Sequence, residues 1–329
     1  DLLTCAARRE LLVLVLEDAH WADEASLALL EYLMNLTDQL PLLLLVVMRP
    51  ERTHGCWRIR EAAIRQYDHR YTDVQLAPLS AEENAALVRR LFVVGDTSAA
   101  YDDDLVRQVL ERAEGNPFFT AEIVRSLLDR GYANEDLPST IQGLLMARID
   151  RLPVAARQVL QLAAVVGRSF SYVVLADILA EVGNSLLDAA LLRLVRAQLV
   201  RESVRGVTRD ADRPKGRVYI FEHQLTLEAA YESLLRRKRQ VLHRRVAEAL
   251  KRLYPEQVEA QLGVLARHWE LAGETAVAVD YWHRAANQAA AQYANEEAVR
   301  YYTRALRLVP DDDPELRCDL LLGRAYIHH

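Results

Sequence analysis

The sequence predicts a mostly helical protein with a partial α/β part at its N-terminal end. Two continuous apolar runs, at residues 11–16 and 42–48, predict strands. Apolar residues then recur at helical spacing from residue 80 onwards. Ala, Leu, Arg and Glu dominate the composition, and only 12 of the 329 residues are glycine, which favours helix. This length allows two or three domains with a sizeable core.

Composition excludes several classes of protein. The net charge of −6 provides no global reason to expect nucleic-acid binding. Cys5, Cys56 and Cys318 are far apart and form no metal-binding spacing, which suits a reducing cytosol. There is no signal peptide, and no apolar run approaches 18 residues, so we expect a cytoplasmic protein without membrane contact. The chain starts without Met and stops inside an apparent helix, so we expect it to be a fragment.

The first apolar run, residues 11–16, is followed at once by Glu17 and Asp18. A uniformly apolar run predicts a central strand of a parallel sheet, covered by helices on both faces. Ligands of open α/β sheets bind at the carboxyl ends of the strands. Two adjacent carboxylates there are costly unless a cation such as nucleotide-bound Mg²⁺ lies beside them. One carboxylate can then face the metal shell while the other faces an attacking water.

A helix over Glu24–Leu36 is predicted next, with Asp23 as its N-cap, and then the second buried strand. Strand, helix and strand make half of a doubly wound sheet. Arg49 follows the second strand, so we expect its guanidinium near the γ-phosphate of a nucleotide at this edge. The alternative is an ordinary surface arginine. A short last strand is predicted at Val74–Leu79.

The run LVLVLEDAHWADEASLALL, residues 12–30, resembles the Walker B segment of STAND-type P-loop ATPases, the AAA-related signal-transduction branch. More narrowly, it resembles the ATPase module of large LuxR-type transcription regulators and of multidomain bacterial adenylate cyclases. The resemblance implies that Glu17 holds Mg²⁺ through its shell, that Asp18 polarises water, and that Arg49 is the sensor 1 residue. The family usually has Asp at the metal position, whereas Glu17 stands first here.

The next segment is predicted to be a helical lid. A capping box, Ser80 to Glu83, opens a helix that runs through Phe92, and helices over 102–113 and 120–130 follow a polar loop at 96–101. Gly115, Asn116 and Pro117 form a helix stop and restart. They also resemble the GxP motif of STAND ATPases, which implies that they seat the adenine, with Pro117 against the ring.

Residues 137–225 are predicted to form a winged helix. Helices at 139–151, 154–166, 172–181 and 186–197 precede two β-patterned runs, at 199–205 and 217–221, around a polar loop with Asp210, Asp212, Pro214 and Gly216. The run RLPVAARQVLQLAAVVGRSF, residues 151–170, resembles the winged-helix segment of the same ATPases. A winged helix often reads the DNA major groove, but in STAND proteins it packs on the nucleotide site.

The run Phe221-Glu222-His223-Gln224-Leu225 resembles the Met-His-Asp motif of the family. The resemblance implies that His223 touches the β-phosphate of ADP, although Gln224 replaces the Asp. Imidazole titrates near neutrality and can donate to phosphate. The alternative is that His223 caps the helix beginning at Thr226, and the sequence leaves both interpretations open.

The remaining chain is predicted to be helical and repetitive. Residues 231–253 carry eight basic and two acidic side chains. We interpret these charges as the solvent-exposed face of an amphipathic helix. Residues 278–286 echo residues 298–306, which indicates TPR-like repeats. We interpret an aromatic stripe as repeat core rather than a ligand cage: Trp269, Tyr281, Trp282, Tyr301 and Tyr302.

These motifs predict four segments. They are the C-terminal half of a P-loop ATPase core (1–79), the lid (80–136), the winged helix (137–225) and a truncated TPR-like α-solenoid (226–329). The resemblance implies an ATP/ADP- and Mg²⁺-dependent switch that regulates an output domain in transcription or cyclic-nucleotide signalling. The repeats would bind a protein partner or a small-molecule inducer, or self-associate.

The phosphate-binding loop of such ATPases is missing from the sequence. No GxxxxGK[ST] occurs in the 329 residues, so this chain is not expected to hydrolyse ATP by itself. We expect the loop to precede Asp1 in the intact protein. The alternatives are a non-hydrolysing TPR-type scaffold and a DNA-binding winged-helix regulator, and direct nucleic-acid binding is the less favoured.

Overall fold

The structure is a computed structural model that describes residues 2–52, 55–94, 103–130, 140–180, 183–203, 216–310 and 313–327. It is 70% helix, so the prediction of a mostly helical protein is confirmed. No helix in these ranges is long and apolar enough to cross a membrane. The chain divides into two units, one of residues 1–76, 286–300 and 324–329 and the other of residues 77–285 and 301–323. The four predicted segment boundaries stay predictions.

The N-terminal part of the first unit is a small α/β layer. Its elements are α1 (Leu2–Ala7), β1 (Leu12–Leu16), α2 (Glu24–Leu36), β2 (Leu42–Val46) and α3 (Cys56–Gln66). The two strands pair in parallel, with Leu12 opposite Leu42 and Leu16 opposite Val46. The predicted order of strand, helix and strand is therefore confirmed.

The prediction that both strands are buried on both faces is wrong. Leu44 and Val46 of β2 pack with the buried Leu27 and Leu30 of α2 and Cys56 of α3. Side chains alternate along a strand, so their neighbours point the other way. Those neighbours are exposed: Val13 47%, Val15 54%, Leu43 53%, Leu45 52% and Val47 47%. The reason is that α2 and α3 form a single layer, and no described element covers the second face.

The predicted strand at Val74–Leu79 is also wrong. Residues 71–80 have no regular secondary structure, and Leu76 is 91% exposed. A strand exists only where a neighbour pairs with it. In the described chain, β1 and β2 pair with each other, and neither pairs with this segment.

The second unit begins with three helices, α4 (Ala81–Val94), α5 (Asp103–Ala113) and α6 (Pro117–Arg130). The capping box is confirmed, because Ser80 N donates to Glu83 Oε2 at 2.9 Å and Glu83 N donates to Ser80 Oγ at 3.2 Å. The three helices share an apolar core of which Phe92, Ile123 and Leu127 are fully buried members. The predicted polar loop at 96–101 lies outside the described residues.

Four helices and a small sheet follow. They are α7 (Ile141–Asp150), α8 (Val154–Val166), β3 (Ser169–Ser171), α9 (Tyr172–Ile178), α10 (Asn184–Arg196), β4 (Val200–Glu202) and β5 (Val218–Phe221). The sheet order is β3-β5-β4, and both pairings are antiparallel. Phe170, Tyr219 and Phe221 join it to the buried faces of the helices. Of the predicted polar loop, Asp210, Asp212 and Pro214 lie outside the described residues.

Helices complete the chain. They are α11 (Gln224–Glu232), α12 (Arg236–Leu253), α13 (Leu262–Ala272), α14 (Thr275–Ala291), α15 (Asn295–Leu308) and α16 (Pro314–Tyr326). Most basic side chains of α12 are exposed while Val246, Ala247 and Ala249 are buried, which confirms the amphipathic interpretation. Of the predicted aromatic stripe, Tyr301 is half-buried, and four residues are buried, as expected for a packed core: Trp269, Tyr281, Trp282 and Tyr302. The TPR-like assignment itself stays a prediction.

Candidate functional site

The two strands place Glu17, Asp18 and Arg49 at the same edge of the parallel pair. Glu17 and Asp18 directly follow β1, and Arg49 follows β2 by three residues. Two backbone hydrogen bonds extend the pairing beyond the strands: Val47 N donates to Leu16 O at 2.8 Å, and Ala19 N donates to Val47 O at 3.0 Å. Glu17 and Arg49 are exposed, and Asp18 is half-buried. The structure thus brings the three predicted catalytic residues to one edge.

Asp18 occupies a backbone conformation that non-glycine residues seldom adopt. Its φ of 55° and ψ of 35° are left-handed, and it precedes a short 3₁₀ turn over Ala19–Trp21. Such a conformation costs of order 1–2 kcal/mol for an L-residue, and Asp and Asn tolerate it best. The turn directs the chain out of the sheet immediately after the strand. Asp23 then caps α2, because its Oδ1 accepts from Ser26 N at 2.9 Å.

The predicted Mg²⁺ site requires side chains that can bind the ion. Among the described residues there is no cluster of three or more His, Cys, Asp or Glu side chains that could hold a metal. Mg²⁺ in nucleotide sites is bound by one or two carboxylates, with phosphates and water as the other ligands. Glu17 with Asp18 fits that pattern and would provide only a part of the shell.

Gly115 forms the tight turn between α5 and α6. Its φ is +76°, and a Cβ atom there would lie 2.5 Å from Leu79 O and 3.0 Å from Pro78 Cβ. Leu79 N donates to Gly115 O at 2.8 Å. Only glycine combines this conformation with this close approach of two backbones. The glycine is therefore required by the fold, whatever its role toward a nucleotide.

Asn116 and Pro117 begin α6. Asn116 Oδ1 accepts from Phe118 N at 3.0 Å and from Phe119 N at 3.2 Å, so it caps the helix, and Pro117 occupies the first helical position. The helix begins at Pro117 rather than at the predicted Thr120. Thr120 instead bonds the buried Asn84 through Oγ1–Oδ1 at 2.6 Å, which joins α6 to α4. Asn116 and Pro117 themselves are exposed.

His223 packs against the residue that follows the Gly-Asn-Pro turn. The ring centroids of His223 and Phe118 are 4.2 Å apart, and the rings are tilted by 51°. His223 is the N-cap residue of α11, which begins at Gln224, but its side chain makes no capping hydrogen bond. The alternative interpretation as a side-chain cap is therefore wrong. Burial by neighbouring atoms lowers the pKa of His223, which favours the neutral ring at physiological pH.

The sequence analysis missed a buried carboxylate near His223. Glu122 of α6 is 3% exposed and pairs with Arg125 at 2.6 Å and with Arg148 of α7 at 2.6 Å. All three charges affect the pKa of His223, the carboxylate raising it and the guanidinium groups lowering it. The spacing of Glu122 and Arg125 permits a helical ion pair. Arg148 is 26 residues away, so only the tertiary structure could reveal it.

The seven predicted site residues fall into two groups, one in each unit. Glu17, Asp18 and Arg49 share the edge of the parallel strands in the first unit. Gly115, Asn116 and Pro117 lie at the turn that begins α6 in the second unit, and His223 packs on the next residue, Phe118. A single nucleotide site made from both groups stays a prediction.

The chain is similar to one family model and to two curated proteins. Residues 80–134 match the model of a domain of unknown function (DUF8739). The chain is 28% identical to the uncharacterized protein R02095 of Rhizobium meliloti over 315 residues, 93% of this chain and 29% of that protein. It is 24% identical to the peroxide stress-activated histidine kinase mak3 of Schizosaccharomyces pombe over 353 residues, 97% of this chain and 14% of the kinase.

The chain spans less than a third of the length of these two curated relatives. No solved structure matches it.

Proposed function

We propose that this chain is the switch part of a STAND-type, ATP- and ADP-dependent signalling protein. Glu17 would hold Mg²⁺ through its shell, Asp18 would polarise the attacking water, and Arg49 would sense the γ-phosphate. Gly115, Asn116 and Pro117 would seat the adenine, and His223 would contact the ADP phosphates. The parts after residue 137 would act as a winged helix and TPR-like repeats that transmit the nucleotide state to an output domain.

One observation carries the proposal. Two parallel strands end at one edge, with an acidic pair after one strand and an arginine after the other. Ligands of parallel sheets bind at this edge, where oppositely charged groups can contact a metal–phosphate complex. The left-handed Asp18 supports a functional constraint, since strained backbone concentrates at such sites.

The contact between His223 and Phe118 supports the second half of the proposal. It links the Gly-Asn-Pro turn to the first residue before α11. A ligand held at that turn would therefore lie beside the imidazole. The lowered pKa means that the ring is a neutral donor, and bound phosphate would raise that pKa.

Hydrolysis requires a phosphate-binding loop that this sequence does not contain. The uncovered apolar face of β1 and β2 would be covered by helices in a longer chain, since helices cover both faces of a parallel sheet. One relative is a peroxide stress-activated histidine kinase, so a segment similar to this chain occurs in a signalling protein.

The test is ATP hydrolysis by a longer form of the protein that includes a phosphate-binding loop. We expect Asp18→Asn to lower the hydrolysis rate by roughly 10²-fold or more, because it removes the charge that polarises water while keeping the shape. Nucleotide binding should survive. Asp23→Asn is the matched control, because it removes a carboxylate five residues away while Asn remains a good N-cap for α2.

Equal rates for Asp18→Asn and the parent would contradict the assigned roles. If Glu17→Gln alone abolished hydrolysis, the water-polarising role would belong to Glu17. If the parent and both variants bound ATP and none of them hydrolysed it, the chain would be part of a non-hydrolysing scaffold.

A further inference from the structure

A second polar site lies where α6, α7 and α10 come together in the second unit. It is a cleft of 470 Å³ lined by the arginines Arg125, Arg148, Arg151, Arg193 and Arg196, with Gln198 beside them. None of the described residues that line it is acidic. This volume falls in the range of small-molecule sites.

Two of these arginines form a fixed floor. The buried Glu122 accepts from Arg125 and from Arg148, each at 2.6 Å. The second arm of Arg125 donates to Gln198 Oε1 at 2.6 Å, and that of Arg148 donates to Ala197 O. A guanidinium carries five N–H donors, so both groups keep donors beyond those used here. Their positions are therefore set before any ligand arrives, which lowers the entropy cost of binding.

The other three arginines form the rim. Arg151, Arg193 and Arg196 are exposed, and no carboxylate of the described residues pairs with Arg193 or Arg196. Long exposed side chains of this kind can close over a ligand without rearranging the backbone. The cleft thus has a cationic floor held by hydrogen bonds and an exposed cationic rim.

The ordinary explanation of these charges is that they offset helix dipoles. Arg148 lies in the last turn of α7, and Arg193 and Arg196 lie in the last turn of α10. Each helix C-terminus carries about half a negative charge, so the two helices offset about one unit of positive charge. The carboxylate of Glu122 offsets a second unit of positive charge. Five guanidinium groups therefore leave an excess of about three positive charges in one cleft.

The chemistry of the lining selects the ligand. Several forked donors in a small volume match the oxygens of phosphate, which accept bidentate hydrogen bonds from arginine. An excess of about three charges matches a diphosphate better than a single carboxylate. We propose that the cleft binds a small oligophosphate anion, through Arg125 and Arg148 at the floor and Arg193 and Arg196 at the rim. The proposal rests on the arginine lining of the cleft and does not depend on the nucleotide roles proposed above.

The test is calorimetric titration of the 329-residue chain with pyrophosphate, without Mg²⁺ and at low salt. We expect saturable binding that weakens as salt is raised. The double variant Arg193→Gln, Arg196→Gln should bind at least tenfold more weakly. Arg236→Gln, Arg237→Gln is the matched control, because it removes the same charge from the exposed face of α12 and should change the affinity less than twofold.

The rim arginines are chosen because they are exposed, so their loss leaves the buried Glu122 paired. Arg196→Glu is a second variant that tests the site with one change, and circular dichroism establishes that each variant is folded. Absence of binding, or equal losses in the rim and control variants, would overturn the proposal.

Two competitors test the ligand class. Citrate that binds as tightly as pyrophosphate would overturn the oligophosphate assignment. Random duplex DNA that binds more tightly than pyrophosphate, and loses that affinity in the rim variant, would assign the cleft to nucleic acid instead. Weak binding of both competitors supports the proposal.

Discussion

At the scale of single residues, two positions combine a local constraint with a place in the candidate site. Gly115 holds a left-handed conformation against the backbone of Leu79, and His223 packs on Phe118 with its pKa lowered by burial. Two separate sequence motifs pointed to these residues, but the motifs alone could not distinguish a structural requirement from contact with a ligand. The geometry separates them, because Gly115 is needed to form the turn and the His223 side chain caps nothing.

We expect Gly115→Ala to destabilise the protein more than Gly183→Ala does. Both glycines have φ near +80°, so both substitutions carry the strain of a left-handed L-residue, about 1–2 kcal/mol. A Cβ at position 115 also meets Leu79 O, whereas a Cβ at position 183 meets nothing within 4 Å. Overpacking adds about 1–3 kcal/mol. Urea denaturation of both variants measures the difference in the free energy of unfolding. Equal decreases would show that the turn at Gly115 rearranges to accommodate the methyl group.

We expect Phe118→Ala to raise the pKa of His223 towards its ordinary value. Burial is the largest cause of the lowered pKa, and removal of the neighbouring ring admits water to the imidazole. The measurement is an NMR titration of the His223 ring protons in the parent and the variant. The resonances of the other histidines provide the internal control. An unchanged His223 pKa would show that Phe118 does not desolvate the ring.

At the scale of elements, α12 and α13 are joined by a buried polar chain. His243 Nδ1 and His268 Nδ1 are 2.9 Å apart, and Tyr231 Oη lies 3.0 Å from His243 Nε2. Both hydrogen bonds form if Tyr231 donates to His243 and His243 donates to His268, with both imidazole rings neutral. Burial lowers the pKa of His243 to about 4 and that of His268 to about 3. Helical spacing in the sequence predicts neither ring as a partner of the other.

This pair predicts a loss of stability in mild acid. Both pKa values are lower in the folded protein than in the unfolded chain. The contribution of the neutral histidine pair to the free energy of unfolding is therefore complete above the unfolded pKa of 6.5, and it is lost as the pH falls below that value. In this pH range the unfolded chain binds two protons that the folded protein does not bind. The free energy of unfolding therefore falls by up to about 2.7 kcal/mol per pH unit as the pH decreases. Urea denaturation between pH 7.5 and 5 measures this slope.

The variants of this experiment separate the pair from other titrating groups. His268→Leu removes one of the two buried rings and should roughly halve the slope between pH 6.5 and 5. His69→Gln changes an exposed histidine and should leave the slope unchanged. A parent whose stability is constant over this range would contradict the neutral buried pair.

At the scale of the whole molecule, the main departure from expectation is the face of β1 and β2 that no described element covers. The first unit buries one side of its two strands and leaves large aliphatic side chains in contact with water. An exposed apolar face and unpaired strand edges promote association. The sequence predicted burial here because an apolar run indicates a covered strand, but the run does not show which segment or which molecule covers it.

We therefore expect the 329-residue chain to self-associate through this face. Light scattering after size-exclusion chromatography should show oligomers that decrease in Val15→Glu and Leu45→Glu, since both side chains are about half exposed and a charge opposes association. Leu29→Glu is the control, because Leu29 is 55% exposed on α2 rather than on the sheet. A parent that stays monomeric at high concentration would contradict this prediction.

The sequence by itself determined the elements that depend on local chemistry. Helix α2 begins and ends where Asp23 and the leucine spacing place it, and α8 has its predicted bounds, because caps and periodicity act within a few residues. Two neighbouring parallel strands also followed from their apolar runs, and with them the common edge for Glu17, Asp18 and Arg49.

The tertiary structure alone decided what depends on contacts between distant residues. β3 is only three residues long and exists because β5 pairs with it, while the segment at Val74–Leu79 finds no strand to pair with. The burial of Glu122 and the joining of five arginines around one cleft require helices that are far apart in the sequence. Local patterns encode which residues form helices and strands, whereas pairing, burial and charge clusters are set by which of those elements meet in space.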